Sequence, residues 1–172
     1  MYKVIYRIRT NGIKNTLIRY YTENTGIPIL KYSQINDRIY VGAQQSAAGM
    51  QKLKKIGIKA IVNLRSEFDD RRHNLIFDNY CYLPVDEFTA PEINQLKEGV
   101  EFIKGQVKEG RKVYIHCSEG ISRAPTLAVA FLISTGMTLP DAIALVKKSR
   151  PFINILPVQM ECLSRYAAMN KK

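Results

Sequence analysis

Residues Val113 to Thr126, VYIHCSEGISRAPT, restrict the possible folds more than any other stretch of this chain. A β-branched and aromatic run leads into a loop that begins at Cys117, carries Gly120 and ends at Arg123, and Pro125 then opens an apolar helix. A strand feeding a tight loop into a helix N-terminus aims successive backbone N–H groups at one point, where the helix dipole adds partial positive charge. Such a point binds an anion. A helix N-terminus also favours the thiolate form of a cysteine, which makes Cys117 a candidate nucleophile. Arg123 carries a planar fork that matches two phosphate oxygens. The blander reading, an inert buried cysteine beside a surface arginine, leaves both flanks of the loop unexplained.

The rest of the chain supplies a setting for that loop. Arg38–Gly42 reads as a strand, Ser46 to Ile56 as a helix with Met50, Leu53 and Ile56 inward, and Ala60–Leu64 as a fully buried strand. This alternation predicts an α/β fold with a central, mostly parallel sheet of about five strands flanked by helices. The charged, aperiodic segment from Arg65 to Asn79 is expected to be a long surface loop with a helical turn, and His73 in it a solvated residue rather than a base. Tyr80–Val85 is the next strand. Thr89 to Glu92 then form a capping-box pattern that starts a helix carrying Ile93, Leu96, Val100 and Ile103 on one stripe. After the loop, helices are predicted over Arg123 to Ser134, Thr138 to Arg150 and Pro157 to Met169. Ligands of such sheets sit at the carboxyl ends of the strands, so Asp86 and Cys117, each just past a strand, can share one cleft.

The run His116-Cys117-Ser118-Glu119-Gly120-Ile121-Ser122-Arg123 resembles the phosphate loop of cysteine-dependent protein tyrosine phosphatases. The longer stretch HCSEGISRAPTLAVAFLI is most similar to the dual-specificity branch, and IYVGAQQSA and GIKAIVNL resemble its opening βαβ unit, so the resemblance covers roughly Ile35 to Tyr166. It implies a phosphatase working through a phosphocysteine intermediate on phosphotyrosine and phosphoserine or phosphothreonine proteins, with no cofactor and no metal. Cys117 would be the nucleophile and Arg123 the clamp, with the backbone N–H groups of Ser118, Glu119, Gly120, Ile121, Ser122 and Arg123 around the phosphate and His116 steadying the loop. Asp86 would be the general acid, with Glu87 and Asp78 as rivals. Gly120 would let the backbone turn close to the phosphate. Family members usually carry Ser or Thr directly after the arginine, where this chain has Ala124. That departure implies slower hydrolysis of the phosphocysteine, partly relieved by Ser122 or Ser118.

Two alternatives stand beside this reading. PVDEFTAP and PFINILPVQ resemble features of phosphatidylglycerophosphate phosphatase relatives, and a phospho-binding pseudophosphatase would account for Ala124. The formal charge of +11 suits polyanionic partners, including an anionic lipid surface. It comes with no aromatic-rich RNA-binding motif, so a nucleic-acid partner is not expected. Cys81, Cys117 and Cys162 are an odd number without a Cys-x-x-Cys pair, which fits a reduced compartment, and Cys81 and Cys162 read as small hydrophobes. The beginning MYKVIYRIRT has no secretory pattern and no run is long enough to span a membrane, so a cytoplasmic location is expected. Residues 1–33 are read as a basic extension packed on a catalytic domain at 34–169, with Tyr2, Val4, Tyr6 and Ile8 alternating as in an edge strand or basic arm.

Overall fold

The computed structural model of the chain describes residues 32–170 together with Ile13, Thr16, Leu17 and Tyr20. The alternation at Tyr2 to Ile8 and most of the 1–33 extension lie outside the described residues.

Five strands make one sheet: β1 (Tyr32–Gln34), β2 (Ile39–Gly42), β3 (Ile58–Arg65), β4 (Asn79–Val85) and β5 (Lys112–His116), in the order β1-β2-β5-β3-β4. β1 pairs antiparallel with β2 and the remaining pairings are parallel, as expected for an α/β sheet of this kind. β1 itself falls in a stretch that reads as a polar connector. Its pairing comes from the turn that follows: Asn36 Oδ1 accepts from the N–H groups of Arg38 and Ile39 at 3.0 and 2.8 Å, folding the chain back so that Gln34 faces Tyr40.

Side chains alternate across the sheet and split the core in two. On one face Tyr40, Ile58, Ile61 and Tyr114 pack against Met50 and Leu53 of α1 (Ala47–Lys55), which Ser46 caps by accepting from Gly49 N–H. On the other face Ile39, Val41, Ala60, Val62, Val113 and Ile115 meet the larger cluster, built by α2 (Ile93–Lys108), α3 (Arg123–Ser134), α4 (Leu139–Ser149) and α5 (Pro157–Met169). α3 is central to that layer and buried on every side from Arg123 to Ile133, because α2, α4 and α5 all pack on it. The N-cap of α2 is Glu92, whose N–H donates to Gln95 Oε1 at 2.9 Å. Thr89, the expected cap, instead donates its hydroxyl to Asp86 O at 2.9 Å and closes the turn before the helix.

Because β2 to β5 run in parallel, the loops after Gly42, Arg65, Val85 and His116 emerge at one edge of the sheet. Asp78 precedes β4 and therefore sits at the opposite edge, which removes it from the rivals for the general acid.

Candidate active site

The loop from Cys117 to Ser122 joins β5 to α3, and its backbone is held from outside. Ser118 O accepts from Gln44 N–H at 3.0 Å and Ile121 O from Asn154 N–H at 2.8 Å. Ser122 O accepts from both the N–H and the hydroxyl of Thr126. Arg150 takes the other two carbonyls, Nε donating to Gly120 O at 2.6 Å and Nη2 to Glu119 O at 2.8 Å. Each carbonyl of five consecutive residues is thus drawn away from the loop centre, which turns the intervening N–H groups inward. The N–H of Gly120 donates to Cys117 Sγ at 3.3 Å.

Gly120 adopts a left-handed φ of 66°. A Cβ there would collide with the carbonyl of Gly42 and press on the Arg150 guanidinium. The close approach that demands glycine is therefore to the end of β2, not to the phosphate position, and it seals the loop against the sheet.

Arg123 is buried at the first position of α3. Nη1 donates to Glu67 Oε2 at 2.9 Å and Val85 O at 2.8 Å, and Nη2 donates to Glu67 Oε1 at 3.0 Å. This end-on grip leaves the parallel Nε–H and second Nη2–H of the other guanidinium edge without an acceptor among the described residues. Glu67 is gripped in turn by Arg65, Nε to Oε1 at 2.8 Å. Partial burial pushes the Glu67 carboxyl upward, but the hydrogen bonds from Arg123 and Arg65 outweigh it and hold the group at about 2.

His116 anchors the other end of the loop. Its Nε2 lies 2.6 Å from Oδ2 of Asp70, both residues fully buried. Asp70 Oδ1 accepts from Gln44 Nε2 at 2.8 Å, and Gln44 Oε1 accepts from Arg65 Nη1 at 3.1 Å. One continuous chain, Arg123–Glu67–Arg65–Gln44–Asp70–His116, therefore encircles the loop and ties its two ends together. The segment after β3 that supplies two of those residues, Glu67 and Asp70, is itself pinned: Asp69 Oδ1 accepts from Arg71 N–H and from the Tyr80 hydroxyl, and Asp70–His73 forms a 3-10 turn. His73 is exposed and stacked on Phe68, a solvated residue as expected.

A cavity of about 430 Å3 opens over Cys117, bounded by Ser118, Ser122, Arg123, Glu87 and Phe88 among others. Asp86 is exposed and follows Val85, whose carbonyl holds Arg123; its neighbour Glu87 lies in the cavity wall, as does Glu119 of the loop itself. The three cysteines are free, and burial pushes the Cys81 thiol up to about 12 and raises that of Cys162, as befits core residues.

Residues 39–169 match the family model for the dual specificity phosphatase catalytic domain. The chain belongs to that family. It is 33% identical over 124 residues to a probable rhodanese domain-containing dual specificity protein phosphatase of Dictyostelium discoideum, covering 70% of this chain and 25% of that protein. It is 23% identical over 141 residues to a phosphatidylglycerophosphate phosphatase of Arabidopsis thaliana, covering 78% of this chain and 43% of that one. Among solved structures, Tk-PTP in its active form superposes with a TM-score of 0.73 at 27% identity, over 81% of this chain and 98% of Tk-PTP. The chain spans a quarter to under half of the length of these curated relatives. In this chain the loop that begins at Cys117 joins the central strand β5 to the buried helix α3. Glu67, Asp70, Gln44 and Arg150 went unnoticed in the sequence. The only local hint was a long charged segment of the sort that is often functional.

Proposed function

We propose that the chain is a phosphatase that hydrolyses phosphate monoesters through a phosphocysteine at Cys117, acting on phosphotyrosine and on phosphoserine or phosphothreonine in proteins. The observation that carries this reading is the outward tethering of five successive carbonyls, which builds an inward-facing ring of N–H donors around a cysteine sulfur. Three phosphoryl oxygens would lie on that ring and on the free Nε/Nη2 edge of Arg123, so the site stabilises charge by preorganisation. Glu67 holds the opposite guanidinium edge and so fixes which edge faces the phosphate.

In the first step the Cys117 thiolate attacks phosphorus, the S–P bond forms, the O–P bond breaks, and the leaving oxygen takes a proton from a carboxylic acid. In the second, water attacks phosphorus, the P–S bond breaks, and the same carboxylate receives the proton. Asp86 is the donor we propose, on the turn that Thr89 closes onto Asp86 O through its N–H at 3.3 Å and its hydroxyl. Glu87 shapes the cavity wall. The second step lacks the hydroxyl usual at position 124, because the residue there is Ala124, fully buried beside the loop. Ser122 is no substitute, because its hydroxyl donates to Gln159 Oε1 at 2.7 Å; Ser118 lines the cavity and remains.

Steady-state hydrolysis of an aryl phosphate and of phosphopeptides by the wild type, Cys117→Ser, Asp86→Asn and Glu87→Gln tests these roles. The serine variant should be inactive and still bind phosphopeptide. Asp86→Asn should lose roughly 100-fold or more in kcat, and Glu87→Gln far less; the reverse order would move the acid to Glu87. A lipid phosphatase is the second reading, supported by the likeness to the Arabidopsis phosphatidylglycerophosphate phosphatase and by the basic charge. Vesicles carrying phosphatidylglycerophosphate in the same assay decide between the two.

A further inference from the structure

Phe88 is the most exposed large hydrophobic side chain among the described residues, at 76% exposure. Its backbone has a φ of 66°, a left-handed conformation that an aromatic residue adopts only when its surroundings enforce it. The surroundings do so. Asp86 O accepts from both the N–H and the hydroxyl of Thr89, which closes the turn around Glu87 and Phe88. Thr89 O accepts at 2.8 Å from Nε2 of Gln159, a fully buried side chain on α5 whose Oε1 receives the hydroxyl of Ser122 in the phosphate loop. One buried amide therefore locks the turn that presents Phe88 to the loop that holds Cys117. No packing role accounts for the ring, since it stands in solvent. What it bounds is the cavity over Cys117, whose other apolar boundaries are Ile121 and Leu156.

From this juxtaposition, and resting on the phosphatase reading above, we propose that Phe88 is a specificity-determining residue: it packs on the aromatic ring of phosphotyrosine and makes this the preferred substrate class. With the phosphoryl group on the loop, the first atoms beyond the leaving oxygen must lie next to the turn that carries both Asp86 and Phe88. In phosphotyrosine those atoms are a flat apolar ring, which gains from an aromatic face and from the Ile121 and Leu156 side chains. In phosphoserine they are one methylene followed directly by polar backbone, which gains little from either.

The test compares kcat/KM on two peptides identical except for phosphotyrosine or phosphoserine, using the wild type, Phe88→Ala, Phe88→Gly and Phe88→Tyr. Glycine accepts the left-handed backbone without strain, so that variant keeps the turn while removing the ring. The wild type should prefer phosphotyrosine. The ratio of the two kcat/KM values should fall about tenfold in the alanine and glycine variants and stay within about twofold in the tyrosine variant. A ratio unmoved by Phe88→Gly, or lowered as much by Phe88→Tyr as by Phe88→Ala, overturns the proposal while leaving the phosphatase reading intact. So does a loss confined to phosphatidylcholine vesicles carrying phosphatidylglycerophosphate, which would make Phe88 a membrane-inserting residue. Absence of turnover of every substrate by the wild type removes the phosphatase reading itself, and this inference with it.

Discussion

Two loops at the carboxyl edge of the sheet divide the labour of the site between them. The loop after β5 has its proposed chemistry in adjacent residues: the cysteine we propose as nucleophile, the glycine turn, the arginine and the helix N-terminus follow one another over seven positions from Cys117 to Arg123. The segment after β3 has no recognisable chemistry along its length, and its residues acquire meaning only through partners far away in the chain. Asp70 meets His116 across 46 positions and Glu67 meets Arg123 across 56. In the proposed reaction one loop carries the chemistry, and the other holds its two ends in place. The lesson is that an anion site made of backbone N–H groups needs a belt of support from outside: the segment after β3 holds the side chains at its two ends, while Gln44, Asn154 and Arg150 hold its carbonyls.

That division makes sharp claims on mutants. The largest effect is expected from Asp70→Ala, which leaves His116 in the interior without its carboxylate partner and takes an acceptor from half-buried Gln44. Removing one member of a buried pair costs about 3–5 kcal/mol, so Tm should drop by roughly 10 °C, whereas Asp70→Asn, which keeps an acceptor oxygen, should lose much less. An Asp70→Ala protein that melts with the wild type would break the comparison, for the belt would then hold nothing.

Next in size is Arg123→Lys, in the loop that does the chemistry. A lysine cannot present one edge to Glu67 and another to phosphate, and kcat/KM on an aryl phosphate should fall by roughly 10²–10³. A smaller change should follow Ala124→Ser. Rapid mixing of the wild type with an aryl phosphate should give a burst followed by a slow steady state, and the added hydroxyl should speed the steady phase several-fold. No burst in the wild type together with no gain in the variant would sink the idea that the second step is the slow one.

The smallest effect is a pH dependence of stability. Glu67 is held at about 2 in the folded chain against an ordinary 4.5, so its folded-state value is depressed. Its contribution is therefore fully present above pH 4.5 and is lost as pH falls from there toward 2. Because the carboxylate is more than a third exposed, solvent screens the pair and the change is modest. Urea denaturation between pH 5 and 2.5 should show a shallower decline for Glu67→Gln than for the wild type. Parallel declines would mean that folding does not hold Glu67 ionised below its ordinary range.

Legibility differed between these parts for physical reasons. α3 and α5 begin and end where periodicity and the prolines place them, because helix boundaries are set by local hydrogen bonding and capping. The start of α2 moved from Thr89 to Glu92, since the Thr89 hydroxyl is engaged by Asp86 O in the preceding turn and Gln95 Oε1 accepts from the Glu92 N–H. β1 was invisible as a strand because three mostly polar residues carry no pattern, and it exists only because β2 offers an edge. Arg150 looked like an ordinary helix end before Pro151. Its burial beneath the phosphate loop, with Phe152 stacked 4.5 Å from its guanidinium carbon, follows from how α4 packs on α3, the helix that the loop leads into.

The linear order of residues by itself determined the strand, anion loop and helix around Cys117, the parallel α/β layering and the family to which the chain belongs. All of these depend on neighbours within a few positions or on a regular repeat. Only the folded molecule decided which carboxylate orients Arg123, which carbonyls are drawn outward, and which aromatic side chain stands at the mouth of the cavity. Those facts are contacts between segments dozens of residues apart, and short-range pattern carries no information about which distant group will fill a given hydrogen bond.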